Sequence, residues 1–152
     1  MPTTRVRRIL RAPRGRVFGA LTDPEAIATW RVPAGMTAEM HEFDARVGGA
    51  FRISLTYDSP DRTGKSSAHT DTYHGHFAEI VPDERVVEVL EFETDDPVMR
   101  GQMRLSITLR DNDGGTELTA EHDGLPPGVD PGDNELGWAE ALDRLARLVE
   151  RG

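Results

Sequence analysis

Residues 130–149 read DPGDNELGWAEALDRLARLV, and this stretch decides the fold. Asp130 is placed to cap a helix, and Pro131 suits its first position, where a missing N–H costs nothing. Behind them Trp138, Ala141, Leu142, Leu145, Leu148 and Val149 recur at helical spacing, which predicts one apolar stripe. The acids Asp133, Glu135 and Glu140 come early, and Arg144, Arg147 and Arg151 come late. That is the order the helix dipole favours. A helix of about 20 residues, roughly 30 Å long, must bury such a stripe against something.

Working back from this helix, the only partner the sequence offers is a sheet. Six runs with strand character precede it, at about 37–45, 49–58, 69–81, 85–94, 98–110 and 116–123. Short turns join them. Val47-Gly48-Gly49 and Asn112-Asp113-Gly114-Gly115 carry hairpin residues, while Val81-Pro82-Asp83-Glu84-Arg85 and Thr94-Asp95-Asp96-Pro97 are proline turns. Consecutive strands with tight turns make an antiparallel meander, not a parallel sheet with crossover helices. The remaining connections are a polar loop at 58–67 and a proline-stiffened loop at 124–130.

A further strand at 4–10 opens the chain. Two short helices follow it, the first after Pro13 and the second from Thr22-Asp23-Pro24-Glu25 to about Trp30, with Thr22 as the expected cap. The expected class is therefore α+β. A curved antiparallel sheet of about seven strands wraps round a long C-terminal helix, in one domain over 1–152.

Composition bounds the function. The 152 residues carry 18 Lys+Arg, 27 Asp+Glu, 5 His and no Cys, for a formal charge of −9. Thiolate catalysis, disulfides and cysteine-bound zinc are excluded. The acidic excess argues against nucleic acid and anionic membranes as partners. No run is long enough to span a bilayer, and Arg5, Arg7 and Arg8 are not followed by the apolar core of a signal peptide, so a cytoplasmic protein is expected. The charge is uneven: residues 1–16 hold six arginines and no acid, while 79–96 hold eight acids against Arg85. Two solvated faces, on strands expected to be neighbours, account for this.

Several segments resemble one family. Val17-Phe18-Gly19-Ala20-Leu21-Thr22-Asp23-Pro24-Glu25, with Trp30 and Pro33, is similar to the opening signature of the activators of heat-shock protein 90 ATPase homologues. These lie within the START-like, or SRPBCC, superfamily. Arg46-Val47-Gly48-Gly49-Ala50-Phe51-Arg52 resembles that family's glycine hairpin, and Gly75-His76-Phe77-Ala78-Glu79-Ile80 with Pro82, Arg85 and Val86 its central strand and turn. Gly115-Thr116-Glu117-Leu118-Thr119 and Gly137-Trp138, with Leu142 and Leu145, extend the likeness over nearly the whole chain. The resemblance implies the helix-grip fold, with an apolar cavity between sheet and helix. It does not fix an activity, because members include lipid and hormone binders, aromatic polyketide cyclases and chaperone-binding domains.

Alternation along the strands puts Phe51, Ile53, Leu55 and Tyr57 on one face, Met99, Met103, Leu105, Ile107 and Leu109 on another, and Leu118, Ala120 and His122 on a third. The candidate cavity lining is Trp30, Met40, Phe51, Ile53, Tyr73, Phe77, Phe92, Met103, His122, Trp138 and Leu142, aromatics and methionine being suited to an adaptable apolar pocket. The first expectation is a binder of a small hydrophobic molecule, without a cofactor, as monomer or homodimer. The alternatives are a protein-interaction module related to the chaperone activators, working through 79–96, and a cyclase- or hydrolase-like enzyme.

His122 is the candidate acid–base for that last reading, which is favoured less than binding. His74 and His76 project from one face of a strand as metal-binding pairs do; His41 or Glu42 on another strand would have to complete a set, since His69 and Asp71 have the opposite parity unless a bulge intervenes. A polar outer sheet face is the favoured account of that cluster.

Overall fold

The computed structural model describes residues 3–33, 35–57 and 70–150. The chain runs β1 (Thr4–Leu10), α1 (Arg14–Thr22), α2 (Pro24–Trp30), β2 (Met36–Phe43), β3 (Ala50–Tyr57), β4 (Thr70–Val81), β5 (Arg85–Phe92), β6 (Met103–Asn112), β7 (Gly115–Asp123) and α3 (Pro131–Val149). The polar loop expected at 58–67, and His69, lie outside the described residues.

The strands form one antiparallel sheet in the order β1-β7-β6-β5-β4-β3-β2. Each strand from β2 to β7 pairs with its neighbour in sequence, and β1 closes the far edge against β7, with Val6 opposite Ala120. The arginine-rich first strand is therefore not beside the acidic β5, as expected, but three places away. Its charges are met locally: Arg5 binds Glu121 at 2.5 Å, Arg7 lies 3.8 Å from Glu117, and Arg8 binds Asp143 of α3.

α3 begins as its sequence predicts, with the Asp130 carboxylate accepting from the Asp133 N–H at 3.0 Å and Pro131 in the first turn. Ala141, Leu142, Leu145, Ala146 and Val149 are buried, while residues 131–140 are at most half-buried. The C-terminal half of the helix thus packs onto β1, α1 and α2, and the N-terminal half overhangs the sheet. Burial of Leu142, Leu145 and Val149 contributes about 1.5–3 kcal/mol each.

Two local expectations are corrected. α2 is capped by Asp23, whose carboxylate accepts from the Ala26 N–H at 3.3 Å. Thr22 instead ends α1, its hydroxyl donating to the Phe18 carbonyl. The strand expected from 98 begins only at Met103. Asp96 caps the Val98 N–H, Pro97 starts a 3-10 turn over Pro97–Met99, and Gly101 follows with φ 126°. A residue in that left-handed region cannot continue a strand.

Gly75 fixes how the sheet packs. A Cβ there would stand 2.0 Å from the Val89 carbonyl oxygen and 2.9 Å from the Phe51 ring. Without one, Phe51 packs tightly on β4, edge-on to Phe77 (5.3 Å between centroids) and Tyr73 (6.2 Å), and Phe43 meets Phe77 at 5.6 Å. Aromatic side chains thereby fill this part of the concave face.

Candidate functional site

Under the overhanging half of α3 the core does not close. A cleft of about 420 Å³ opens there, walled by Tyr73, Phe92, Met103, His122 and Trp138 among the expected residues, together with Leu55, Leu90, Met99, Val129 and Ala141. That volume is within the range that takes a small organic ligand.

The other six expected lining residues lie elsewhere. Trp30, Phe51, Ile53, Phe77 and Leu142 are at most 2 % exposed within the solid core, and Met40 is half-buried against it. The physical reason is the aromatic packing over Gly75 for Phe51 and Phe77, and the close contact of the helix's C-terminal half for Leu142. Trp30 sits one layer behind the cleft. Its Nε1 donates to the Ala20 carbonyl at 2.9 Å, and its ring packs 6.1 Å from Trp138.

Charge enters the cleft where α2 ends. Arg31 caps α2, its backbone N–H bonding to the Ile27 carbonyl, and its side chain turns inward among three rings. The guanidinium carbon lies 5.8 Å from the Trp30 ring, 6.0 Å from Tyr73 and 5.4 Å from Trp138, an aromatic cage of cation–π geometry. Nη1 donates to both carboxylate oxygens of Glu88, at 2.8 and 3.1 Å. The two side chains are 10 % and 4 % exposed. Burial is the largest single influence and would favour a neutral Arg31, but the Glu88 charge, the Tyr73 phenol and the Glu88 hydrogen bond together outweigh it and hold the guanidinium above its ordinary value. Burial pushes the Tyr73 phenol up, with Arg31 opposing. A second cation, Arg144, lines the cleft from α3 and donates from Nε to the Trp30 carbonyl at 3.0 Å, which satisfies a carbonyl left over at the helix end. Burial draws its pKa down.

His122 is 7 % exposed and packs edge-on against Trp138 at 6.5 Å. The Thr4 hydroxyl donates to Asn134 Oδ1 at 2.5 Å, so the Asn134 NH₂ faces His122 Nδ1, at 3.4 Å. An amide nitrogen only donates, so Nδ1 accepts and the ring proton sits on Nε2. That Nε2 is the buried side-chain nitrogen without a hydrogen-bond partner among the described residues. Burial first, and Arg31 second, lower the pKa of His122 to about 4, leaving it neutral at pH 7.

The His74–His76 pair lies on the outer face. His74 is held between Glu93 (Nδ1, 2.9 Å) and Glu91 (Nε2, 3.3 Å), and His41 bonds Ser54 at 2.8 Å. Among the described residues no group of three or more His, Cys, Asp or Glu is arranged to hold a metal ion.

Sequence reasoning missed Arg31, Arg144, Glu88 and Asn134. Glu88 had a signal, since it shares parity with Val86, Leu90 and Phe92 on the inward face of β5. Asn134 lies one helical turn before Trp138 on the same face of α3. Arg31 had none beyond following Trp30.

A seven-stranded antiparallel sheet gripping a long C-terminal helix, with a cleft between them, defines a START-like helix-grip protein. The family model described as "Activator of Hsp90 ATPase homolog 1-like protein" matches residues 11–150, and the chain belongs to that family. Protein CV1439 of Chromobacterium violaceum is 35 % identical, with a TM-score of 0.88 over 99 % of this chain and 98 % of that one. The AHSA1-like protein of Aeromonas hydrophila shares the fold at 20 % identity and a TM-score of 0.75, covering 98 % of this chain and 92 % of that one. DynU16, from the dynemicin biosynthetic locus, shares it at 23 % identity and a TM-score of 0.68, over 99 % of this chain and 48 % of that one. No curated protein matches. No helix among the described residues is long and apolar enough to cross a membrane.

Proposed function

We propose that this chain binds a small, largely apolar molecule in the cleft between α3 and the concave face of the sheet. The observation that carries this reading is the cleft itself: an opening of about 420 Å³ walled by Tyr73, Phe92, Met103 and Trp138, with a few polar groups set into it. Apolar walls with a few fixed polar groups are what a ligand site needs.

The alternatives find less support. Four of the acids in 79–96 are engaged within the fold: Glu79 by Arg85, Glu88 by Arg31, Glu91 by His74, and Glu93 by Arg52 and His74. An acidic docking face for a chaperone loses that much of its charge. His122 has Asn134 where an acid–base dyad would have a carboxylate, and a pKa near 4 makes it a weak base at neutral pH.

The test is tryptophan fluorescence. Trp138 walls the cleft and Trp30 adjoins it, so both report on occupancy. Titration with a panel of lipids, flavonoids and polyketide-like aromatics should give a saturable change for at least one class. A panel with no saturable response would sink the reading.

A further inference from the structure

We propose that the molecule held in the cleft carries an acceptor oxygen, and above all a carboxylate, which is met by Arg31, Arg144 and His122. This rests on the cleft being the ligand site. The argument comes from the sign of the polar groups set into the wall.

Three of those groups, Arg31, Arg144 and His122, are donors. Glu88 occupies Nη1 of Arg31, so the Nε and Nη2 hydrogens of the same guanidinium are not used by that pair. Arg144 brings a second guanidinium, with only Nε engaged by the Trp30 carbonyl. The acids nearest to it, Glu140 and Asp143, are exposed on its own helix. His122 contributes a proton on Nε2 that no described residue accepts. Trp138 neighbours both Arg31 and His122, 5.4 Å from one and 6.5 Å from the other, so an apolar body against that indole has both donors close by.

Two side-chain acceptors in the same wall are already engaged. Asn134 Oδ1 takes the Thr4 hydroxyl, and the Asp130 carboxylate takes the Asp133 N–H at the start of α3. Asp133 is exposed. An oxygen acceptor entering the cleft gains donors that no described residue satisfies, whereas an ammonium group meets two guanidiniums and finds carboxylates only at the start of α3, at Asp130 and the exposed Asp133. Charge is divided by place: Arg31 and Glu88 cancel, Arg144 sits at the Trp30 carbonyl, and the carboxylates of the lining, Asp130 and Asp133, stand apart at the start of α3.

Calorimetric titration with four probes of one shape tests this: naphthalene, 2-naphthoate, 2-acetonaphthone and 2-naphthylmethylammonium. We expect 2-naphthoate to bind about tenfold or more tightly than the ammonium probe, with the neutral ketone between them, as a hydrogen bond to a charged group implies. In Arg31→Met/Glu88→Met, which removes the buried pair together, that ratio should fall severalfold. Arg144→Met gives the same reading if the double variant does not fold. His122→Phe should weaken the naphthoate and the ketone more than naphthalene.

Equal binding of all four probes, tighter binding of the ammonium, or an unchanged ratio in both arginine variants would overturn the head-group inference and leave the cleft as a binding site. No binding of any probe, naphthalene included, would overturn the cleft reading and this one with it.

Discussion

Arg31 and Glu88 stand 57 residues apart in the chain, yet Nη1 meets the carboxylate at 2.8 and 3.1 Å in a site nearly closed to water. The pair joins the end of α2 to the middle of β5, and the cleft opens over it. Desolvating two charges is costly, and their attraction roughly repays that cost only while both are present. Arg31→Met alone should therefore destabilise the fold by about 3–5 kcal/mol, because it strands the Glu88 charge. Arg31→Met/Glu88→Met should recover most of the loss. Urea unfolding of the two single variants and the double variant measures this. Additive losses would show that the two side chains do not act as a pair.

His122 sets a pH window. Its ordinary pKa of 6.5 falls to about 4 in the folded protein, because burial and the nearby Arg31 disfavour the charged ring. Above pH 6.5 the ring is neutral folded or unfolded and costs nothing. Below 6.5 the unfolded chain takes up a proton that the folded chain refuses, so stability falls as pH drops from 6.5 to 4. The loss is about 2 kcal/mol by pH 5 and about 3 kcal/mol by pH 4. His122→Phe should remove this slope. Identical slopes between pH 7 and 5 for wild type and variant would refute the assignment.

Glu93 governs a lower window. Arg52 grips its carboxylate with two bonds, at 2.8 and 2.9 Å, and His74 adds a third at 2.9 Å. The Arg52 bonds are the main cause of a pKa lowered from 4.5 to about 2; burial opposes them, and His74 assists. A lowered carboxylate stabilises the fold above pH 4.5, and this contribution is lost as pH falls toward 2. Arg52→Met should move the Glu93 titration up toward 4.5. Carboxylate NMR shifts between pH 2 and 6 would show it, and an unmoved midpoint would count against Arg52 as the cause.

The regular parts of this fold were legible because each rests on a local rule. Period-3.6 spacing marks α3, period-2 spacing the strands, and turn residues the hairpins, so Asp130, Pro131 and the Leu142–Leu145 stripe announce their places in the sequence. The cleft was legible only in part, because alternation tells which face a residue takes and not whether that face is filled. Phe51 and Tyr73 share the concave face, but Phe51 is sealed by the close approach at Gly75 while Tyr73 reaches the opening. Arg31 was hidden for a different reason. A charged residue at a helix end is ordinarily solvated, and only the distant Glu88 and the ring of Trp138 bring it inside. Such long-range compensation leaves no pattern within either segment.

That difference between face and filling separates two aromatic residues experimentally. Phe77 is fully buried, between Phe43 and Phe51, and does not reach the cleft. Phe77→Ala should cost about 3–5 kcal/mol of stability, because the packed neighbours cannot collapse into the space. Trp138 is half-buried, and its ring faces the cleft, Arg31 and His122. Trp138→Leu keeps an apolar side chain at that point of α3 and should cost less, about 1–2 kcal/mol. Its naphthalene affinity should nonetheless fall severalfold, since the flat wall is gone. Thermal unfolding and calorimetric titration on both variants read the two effects separately. If Phe77→Ala weakens binding at temperatures where it remains folded, while Trp138→Leu leaves binding intact, the molecule is held on the Gly75 side of the sheet and the cleft under α3 is not its site.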